Sequence, residues 1–220
     1  MGRLVIVAGT DTGIGKTWVS CRIGEALYAH GVDARGVKLV ETGTPIEPSP
    51  DEDGVLLARA TRQAFPVAAL RRYRTPVAAA EAADREGVPL DLSKVEAEVL
   101  AIAEAAELTL VEGAGGLFAP LTWKRNLLDV ARRHGAPVLV VGADRLGTIN
   151  HTLLTLAMLD LSGCTCLGVV LNRLPGTPSD DVSVGTNLRQ LQRLRPDLPM
   201  AETAVEGWVE TVVGWVRSGR

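Results

Sequence analysis

The residues best equipped for chemistry come early in the chain. Gly9-Thr10-Asp11-Thr12-Gly13-Ile14-Gly15-Lys16-Thr17 follows an apolar run at 4–8 and opens a helical pattern. Glycines in such a loop let backbone N–H groups close on phosphate oxygens, and the N-terminus of the next helix adds positive partial charge. Lys16 is placed to reach the β- and γ-phosphates of a nucleotide, and the Thr17 hydroxyl to bind Mg²⁺. Five residues separate Gly9 from Gly15, one more than the usual phosphate loop has. A chance Gly-rich turn is the plain alternative; a Gly-Lys-Thr set directly at a strand–helix junction argues against it. A metal-bound triphosphate also needs hard oxygen ligands. Glu112 ends the apolar run 108–111, where an acid of this kind belongs, and glycines follow it at 113, 115 and 116. Asp53 closes a Pro-rich stretch and is a possible third ligand; read alone, it is a solvated acid or a helix N-cap. Mg²⁺ takes few protein ligands beside waters and phosphate, so Thr17, Asp53 and Glu112 make a sensible upper set.

Such residues need a scaffold. Apolar runs at 4–8, 36–40, 108–111, 137–141 and 167–171 are short, rich in Val, Leu and Ile, and lack polar alternation. Strands buried on both faces of a parallel sheet read this way. Helical stretches lie between them. The stretch 16–30 stops at Gly31, a plausible C′ glycine. Ser93 and Glu96, at the start of 92–106, have the spacing of a capping box. The stretches 126–134 and 150–161 end at or near Gly135 and Gly163. Strand–helix alternation predicts an α/β fold, a mostly parallel doubly wound sheet flanked by helices, of P-loop NTPase type. The loops after the strands then share one edge, where ligands bind. Residues 42–53, with Pro45, Pro48 and Pro50, are expected to form a long functional loop. The tail 207–216 carries Trp208, Val209, Val212, Val213 and Val216 on one helical stripe, expected to dock on the core, with a subunit interface as the second option.

Composition excludes several classes. The 220 residues fit one domain spanning 1–220 better than two. Apolar residues make up 46%, enough for a substantial core, and the net charge of −3 offers no footprint for nucleic acid. Arg71-Arg72 and Arg132-Arg133 read as solvated faces. Cys21, Cys164 and Cys166 make neither a disulfide framework nor a four-ligand zinc site, which suits a reducing cytoplasm. The N-terminal residues pass directly into a strand, with no secretory leader, and no apolar run is long enough for a membrane span.

Four motifs in order give the phosphate loop a context. The opening Gly9-Thr10-Asp11-Thr12, with Gly15-Lys16-Thr17, resembles that of the dethiobiotin synthetases, which share the longer loop. Lys38-Leu39-Val40-Glu41-Thr42-Gly43 is similar to that family's lysine motif. Val111-Glu112-Gly113-Ala114-Gly115-Gly116-Leu117 resembles its acidic-glycine motif, and Leu146-Gly147-Thr148-Ile149-Asn150-His151 its turn and helix after the fourth strand. Together they cover most of residues 4–172. The resemblance implies an ATP- and Mg²⁺-dependent cyclo-ligase that joins CO₂ to 7,8-diaminopelargonic acid and closes a cyclic urea, giving dethiobiotin, ADP and phosphate. It implies Lys38, Lys16 and Thr12 at the reacting groups, where carbamate and γ-phosphate must meet. It implies nucleotide contacts from Gly13, Ile14, Gly15, Lys16, Thr17, Trp18, Asp53, Glu112, Gly113, Ala114 and Gly115, with Asn172 at the base. It implies substrate contacts from Thr12, Lys38 and Thr42 at the amine end. Gly147, Thr148 and Asn150 would meet the carboxylate end across a homodimer. On their own, Asn150 reads as a helix N-terminal residue and Asn172 as a turn residue.

Some positions depart from the family pattern. Glu41 stands where a neutral residue is usual; its carboxylate is expected to pair with Lys38 or to face solvent. Pro76-Val77-Ala78-Ala79-Ala80 aligns with a family substrate loop that often carries Ser or Ala and then Pro-His, and both of those are alanine here, so substrate contacts from this loop are not assured. Arg173 follows Asn172, and the stretch 201–205 lacks a proline near the base, so ATP is the default nucleotide while the base preference is left open, relaxed or altered being the alternatives. The main rival is a nucleotide-switch ATPase of the MinD and iron-protein type; those carry an extra lysine early in the loop, where this chain has Thr10-Asp11-Thr12.

Overall fold

The computed structural model describes residues 2–177 and 180–219. The chain opens with strand β1 (Arg3–Gly9), helix α1 (Lys16–Ala29), β2 (Ala34–Lys38) and β3 (Val40–Thr42). It continues with α2 (Asp53–Ala60), β4 (Arg71–Tyr73), α3 (Ala79–Glu86), α4 (Leu92–Glu104) and β5 (Leu108–Gly116). A small ribbon, β6 (Pro120–Thr122) and β7 (Arg125–Asn126), leads to α5 (Leu127–His134), β8 (Val138–Ala143) and α6 (Thr148–Leu161). Last come β9 (Cys166–Asn172), α7 (Asn187–Leu194), β10 (Met200–Glu202) and α8 (Trp208–Ser218).

Six strands form one parallel sheet in the order β10-β9-β8-β1-β5-β2. The chain winds out to β2, returns to β5, then crosses β1 to β8 and runs outward to β10. The winding direction thus reverses beside β1, the point at which an open α/β sheet offers its crevice. Both faces are covered, as unalternated apolar strands require. Val5 and Val7 enter one core with Val19, Ile23 and Leu27 of α1 and Val212 and Val216 of α8. Ile6 and Ala8 enter the other with Val95 and Val99 of α4, Leu127 of α5 and Leu156 of α6. The C-terminal stripe of Trp208, Val212, Val213 and Val216 is buried on the core as expected.

Four expectations need correction. The run at 36–40 is two strands: the carbonyls of Lys38 and Leu39 accept the N–H groups of Leu70 and Arg71, so the chain leaves β5 and pairs β3 with β4. Ser93 and Glu96 form no capping box; Asp91 caps α4 by accepting the Lys94 N–H, while the Glu96 carboxylate is taken by Arg125. The stretch 78–80 is not all loop: Ala78 precedes α3, and Ala79 and Ala80 are buried inside it. The helix placed at 150 begins two residues earlier, at Thr148, after Gly147 at φ 91°.

Candidate functional site

Sheet register creates the centre of the site. Glu112 of β5 stands level with Val7 of β1 on one side and Lys38 of β2 on the other. Register partners on neighbouring strands present their side chains to the same face. The Lys38 ammonium therefore meets the Glu112 carboxylate at 2.7 Å, and reaches Asp53, the first residue of α2, at 2.6 Å. The Thr17 hydroxyl donates to the same Glu112 oxygen at 2.6 Å, and Ser20, one turn along α1, donates to the other at 2.9 Å. Lys38 and Glu112 are 4% and 1% exposed, while Asp53 opens to solvent at 37%.

Burial alone would lower the Lys38 pKa, but the facing Glu112 and Asp53 carboxylates prevail and raise it. Burial likewise works to raise the Asp53 pKa, and the Lys38 ammonium overrides it, leaving that carboxyl below its ordinary range. Lys16 has no such partner. Among the described residues its ammonium donates only to the Asp11 carbonyl, at 3.2 Å, and burial with the nearby Lys38 charge lowers its pKa. Anionic phosphate would reverse both effects.

The loop that carries Lys16 is built by close approach. Gly15 has φ 81°, and a Cβ there would lie 2.2 Å from the Asn172 amide nitrogen. That amide donates to the Ile14 carbonyl at 3.0 Å, and its oxygen accepts from Thr203 at 3.1 Å. The amide nitrogen of Asn172, a residue expected at a base, thus braces the loop while Thr203 holds its oxygen. Ile14 itself is a core residue. Gly113 serves packing as well: a Cβ would collide with Leu127 at 2.4 Å.

These groups surround a cavity of about 470 Å³ at the C-terminal ends of β1, β2 and β5. Thr12, Gly13, Gly15, Lys16, Thr17 and Trp18 form one wall. Lys38, Glu41, Thr42, Asp53, Ala114 and Gly115 form much of the rest. A larger groove of about 930 Å³ between α1 and α2 shares Trp18 and Leu56 with it, but the lysines and carboxylates face the smaller one. Gly147, Thr148 and Asn150 do not line the cavity of their own chain. Thr148 is turned inward beneath β8, and Asn150 is exposed on the first turn of α6.

Sequence reasoning missed Ser20 and the partners of Glu41. Ser20 lies three positions after Thr17, the spacing that puts both hydroxyls on one helix face, and that signal was readable. Glu41 was expected to pair with Lys38 or to face solvent, and does neither. Its carboxylate accepts the N–H groups of Asp53 and Gly54, at 2.6 and 3.0 Å. Burial raises its pKa against the pull of those two bonds.

A divalent cation fits the donors present. The Thr17 hydroxyl and the Asp53 and Glu112 carboxylates are hard oxygens, and two of the three already converge on the Lys38 ammonium, a cation in its own right. That donor set suits Mg²⁺, which completes its octahedron with water and phosphate.

The geometry has counterparts among known proteins. A family model described as an AAA domain matches residues 3–206. The ATP-dependent dethiobiotin synthetase BioD of Anaeromyxobacter dehalogenans (strain 2CP-1 / ATCC BAA-258) is 42% identical over 202 residues, 90% of this chain and 88% of that protein. The chain belongs to the ATP-dependent dethiobiotin synthetase family. A further member, from Mycobacterium sp. (strain KMS), is 38% identical over 206 residues, 89% of this chain and 87% of that protein. Beyond the family, a ParA family ATPase from Chlorobium tepidum TLS shares the fold, with a TM-score of 0.56 at 11% identity, covering 98% of each chain. At that identity the likeness concerns the fold alone, and the dethiobiotin synthetase family is what the sequence identity marks.

Proposed function

We propose that this chain is an ATP-dependent dethiobiotin synthetase of biotin biosynthesis, with residues 1–220 acting as one P-loop ligase domain. The observation that carries the reading is the Lys38 ammonium lodged between Asp53 and Glu112, in one cavity with Lys16 and Thr17. An amine of 7,8-diaminopelargonic acid captures CO₂ as a carbamate and loses a proton. The carbamate oxygen takes the γ-phosphoryl group of ATP, and ADP leaves. The second amine then attacks the carbamoyl carbon, gives up a proton and expels phosphate, closing the urea ring.

Two anions must meet in the middle step, so catalysis rests on cations aimed at the charge that develops there. Lys16 holds the β- and γ-phosphates. Lys38 faces the γ-phosphate and the carbamate, and Thr12 and Thr42 orient the amine end. Mg²⁺, held by Thr17, Asp53 and Glu112, would offset phosphate charge. With a cation held by those carboxylates, Lys38 would be free to face the carbamate. Positioning supplies much of the rate, and no covalent enzyme intermediate is needed.

The carboxylate end of the substrate falls to Gly147, Thr148 and Asn150 of a second copy in a homodimer, since they stand away from the cavity of their own chain. Exposed Leu146, Leu154 and Leu161, on and beside α6, suit burial between two copies. Among the described residues no helix is long and apolar enough to cross a membrane, and the cysteines are free, which fits a cytoplasmic enzyme.

The test is phosphate release with ATP, Mg²⁺ and bicarbonate, with and without the diamine, on protein whose mass is fixed by light scattering. Diamine-dependent release from a dimer, with dethiobiotin detected by mass spectrometry, is the expected result. Release that ignores the diamine would mark a nucleotide-switch ATPase, and full activity in a monomer would remove the shared site.

A further inference from the structure

Helix α2 starts without a cap of its own. The first N–H groups of a helix have no partner within it. Glu52, in the N-cap position, makes no side-chain cap bond. Its carboxylate is engaged by the Ser49 N–H and the Arg72 guanidinium, both at 2.7 Å. The vacant role is filled from another element. Glu41 of β3 spans the Asp53 and Gly54 N–H groups, one with each carboxylate oxygen. Bonds from N–H to a carboxylate are roughly twice as strong as neutral ones, and a negative charge at a helix N-terminus is favourable.

The residue so clamped matters. Asp53 is the first residue of α2, and its side chain reaches Lys38 at 2.6 Å. Lys38 lies three residues before Glu41 on the same short segment. One piece of chain thus supplies both the cation that Asp53 meets and the anchor for the Asp53 backbone. Asp53 sits at the end of a long Pro-rich loop and is the most exposed member of the Lys38–Asp53–Glu112 group, so it is the one most in need of external fixing.

We infer that Glu41 is a positioning residue for the metal: its clamp on the first turn of α2 fixes the Asp53 carboxylate beside Thr17 and Glu112. This rests on the reading of Asp53 as a metal ligand. Outer partners of metal-binding carboxylates typically govern about 10–100-fold in metal affinity.

The experiment is a titration of Mn²⁺ into protein with ADP, followed by electron paramagnetic resonance, for wild type, Glu41→Gln and Glu41→Ala. ADP binding in EDTA and thermal melting run alongside. Glu41→Ala should weaken Mn²⁺ by about tenfold or more, leaving ADP binding in EDTA unchanged. Glu41→Gln keeps one acceptor and should lose about threefold. Unchanged Mn²⁺ affinity in a folded Glu41→Ala protein would overturn the inference, whatever its turnover. Should Glu41→Ala not fold, unchanged affinity in Glu41→Gln would overturn it instead. A Glu41→Ala protein with normal Mn²⁺ affinity but a raised KM for the diamine would make Glu41 a substrate contact. The readout needs no ligase turnover, so failure of the diamine assay and failure of the clamp are separable. Absence of Mn²⁺ binding in wild type would overturn the metal reading and this inference together.

Discussion

Two polar clusters sit on the same edge of the sheet and are built on opposite principles. Around Lys38 the partners are side chains from separate elements, meeting in an open cavity: β2 gives Lys38, α2 Asp53, β5 Glu112 and α1 Thr17. At the ends of β8, β9 and β10 the groups are engaged inside the protein. Buried Asp144 accepts from the Gly185 N–H at 2.9 Å, from Asn187 at 2.8 Å and from Arg173 at 3.3 Å. Arg173 also meets Glu202 at 2.5 Å, and Asn172 joins the Ile14 carbonyl to the Thr203 hydroxyl. The first cluster can exchange partners with a ligand, since its ions meet one another and side-chain hydroxyls at a cavity. The second closes on backbone and holds loops to strands. Polarity at a sheet edge is therefore no guide to chemistry until its partners are known.

The contrast can be broken most sharply at the lysines. Lys16→Ala and Lys38→Ala should each reduce diamine-dependent phosphate release by at least about 10²–10³-fold. Lys38→Ala should largely spare nucleotide affinity, measured by calorimetry. Near-normal release in the Lys38 variant would remove that residue from the mechanism. The same change strands two carboxylates around an empty centre, so it should also lower stability, by up to about 3–5 kcal/mol.

A smaller effect sharpens the other side. Asn172→Ala removes a brace behind the phosphate loop and should weaken nucleotide binding by about fivefold, near 1 kcal/mol for a lost hydrogen bond. The loss should be equal for ATP, GTP and CTP, because the residue acts on the loop. A loss confined to one base would make Asn172 a reader of that base. The smallest expected effect lies in α6. The buried Thr152 hydroxyl has no hydrogen-bond partner among the described residues, so Thr152→Val should leave turnover unchanged and hold or raise the melting temperature by a few degrees. A clear drop in melting temperature would reveal a partner for that hydroxyl.

What could be read from the chain follows from how local each signal is. Gly15-Lys16-Thr17 at a strand–helix junction and Glu112 at the end of an apolar run are local patterns, and so are the five long strands of the sheet. The split between β2 and β3 depends on Leu70 and Arg71, some thirty residues away, and no local pattern records it. Helices α2 and α3 are short, and prolines nearby disguise them. The clamp by Glu41 exists only because β3 and α2 meet in three dimensions. A Cβ at Gly113 would meet Leu127; a glycine in sequence marks close approach without saying of what.

The pairing of Lys38 has one more consequence. Carbon dioxide reacts with amines that keep a lone pair, and an ammonium has none. A lysine pressed between two carboxylates stays an ammonium, so Asp53 and Glu112 act toward it as a protecting group does in synthesis. They mask one amine of the site for as long as it lies between them, and a cation that took its place would lift the mask.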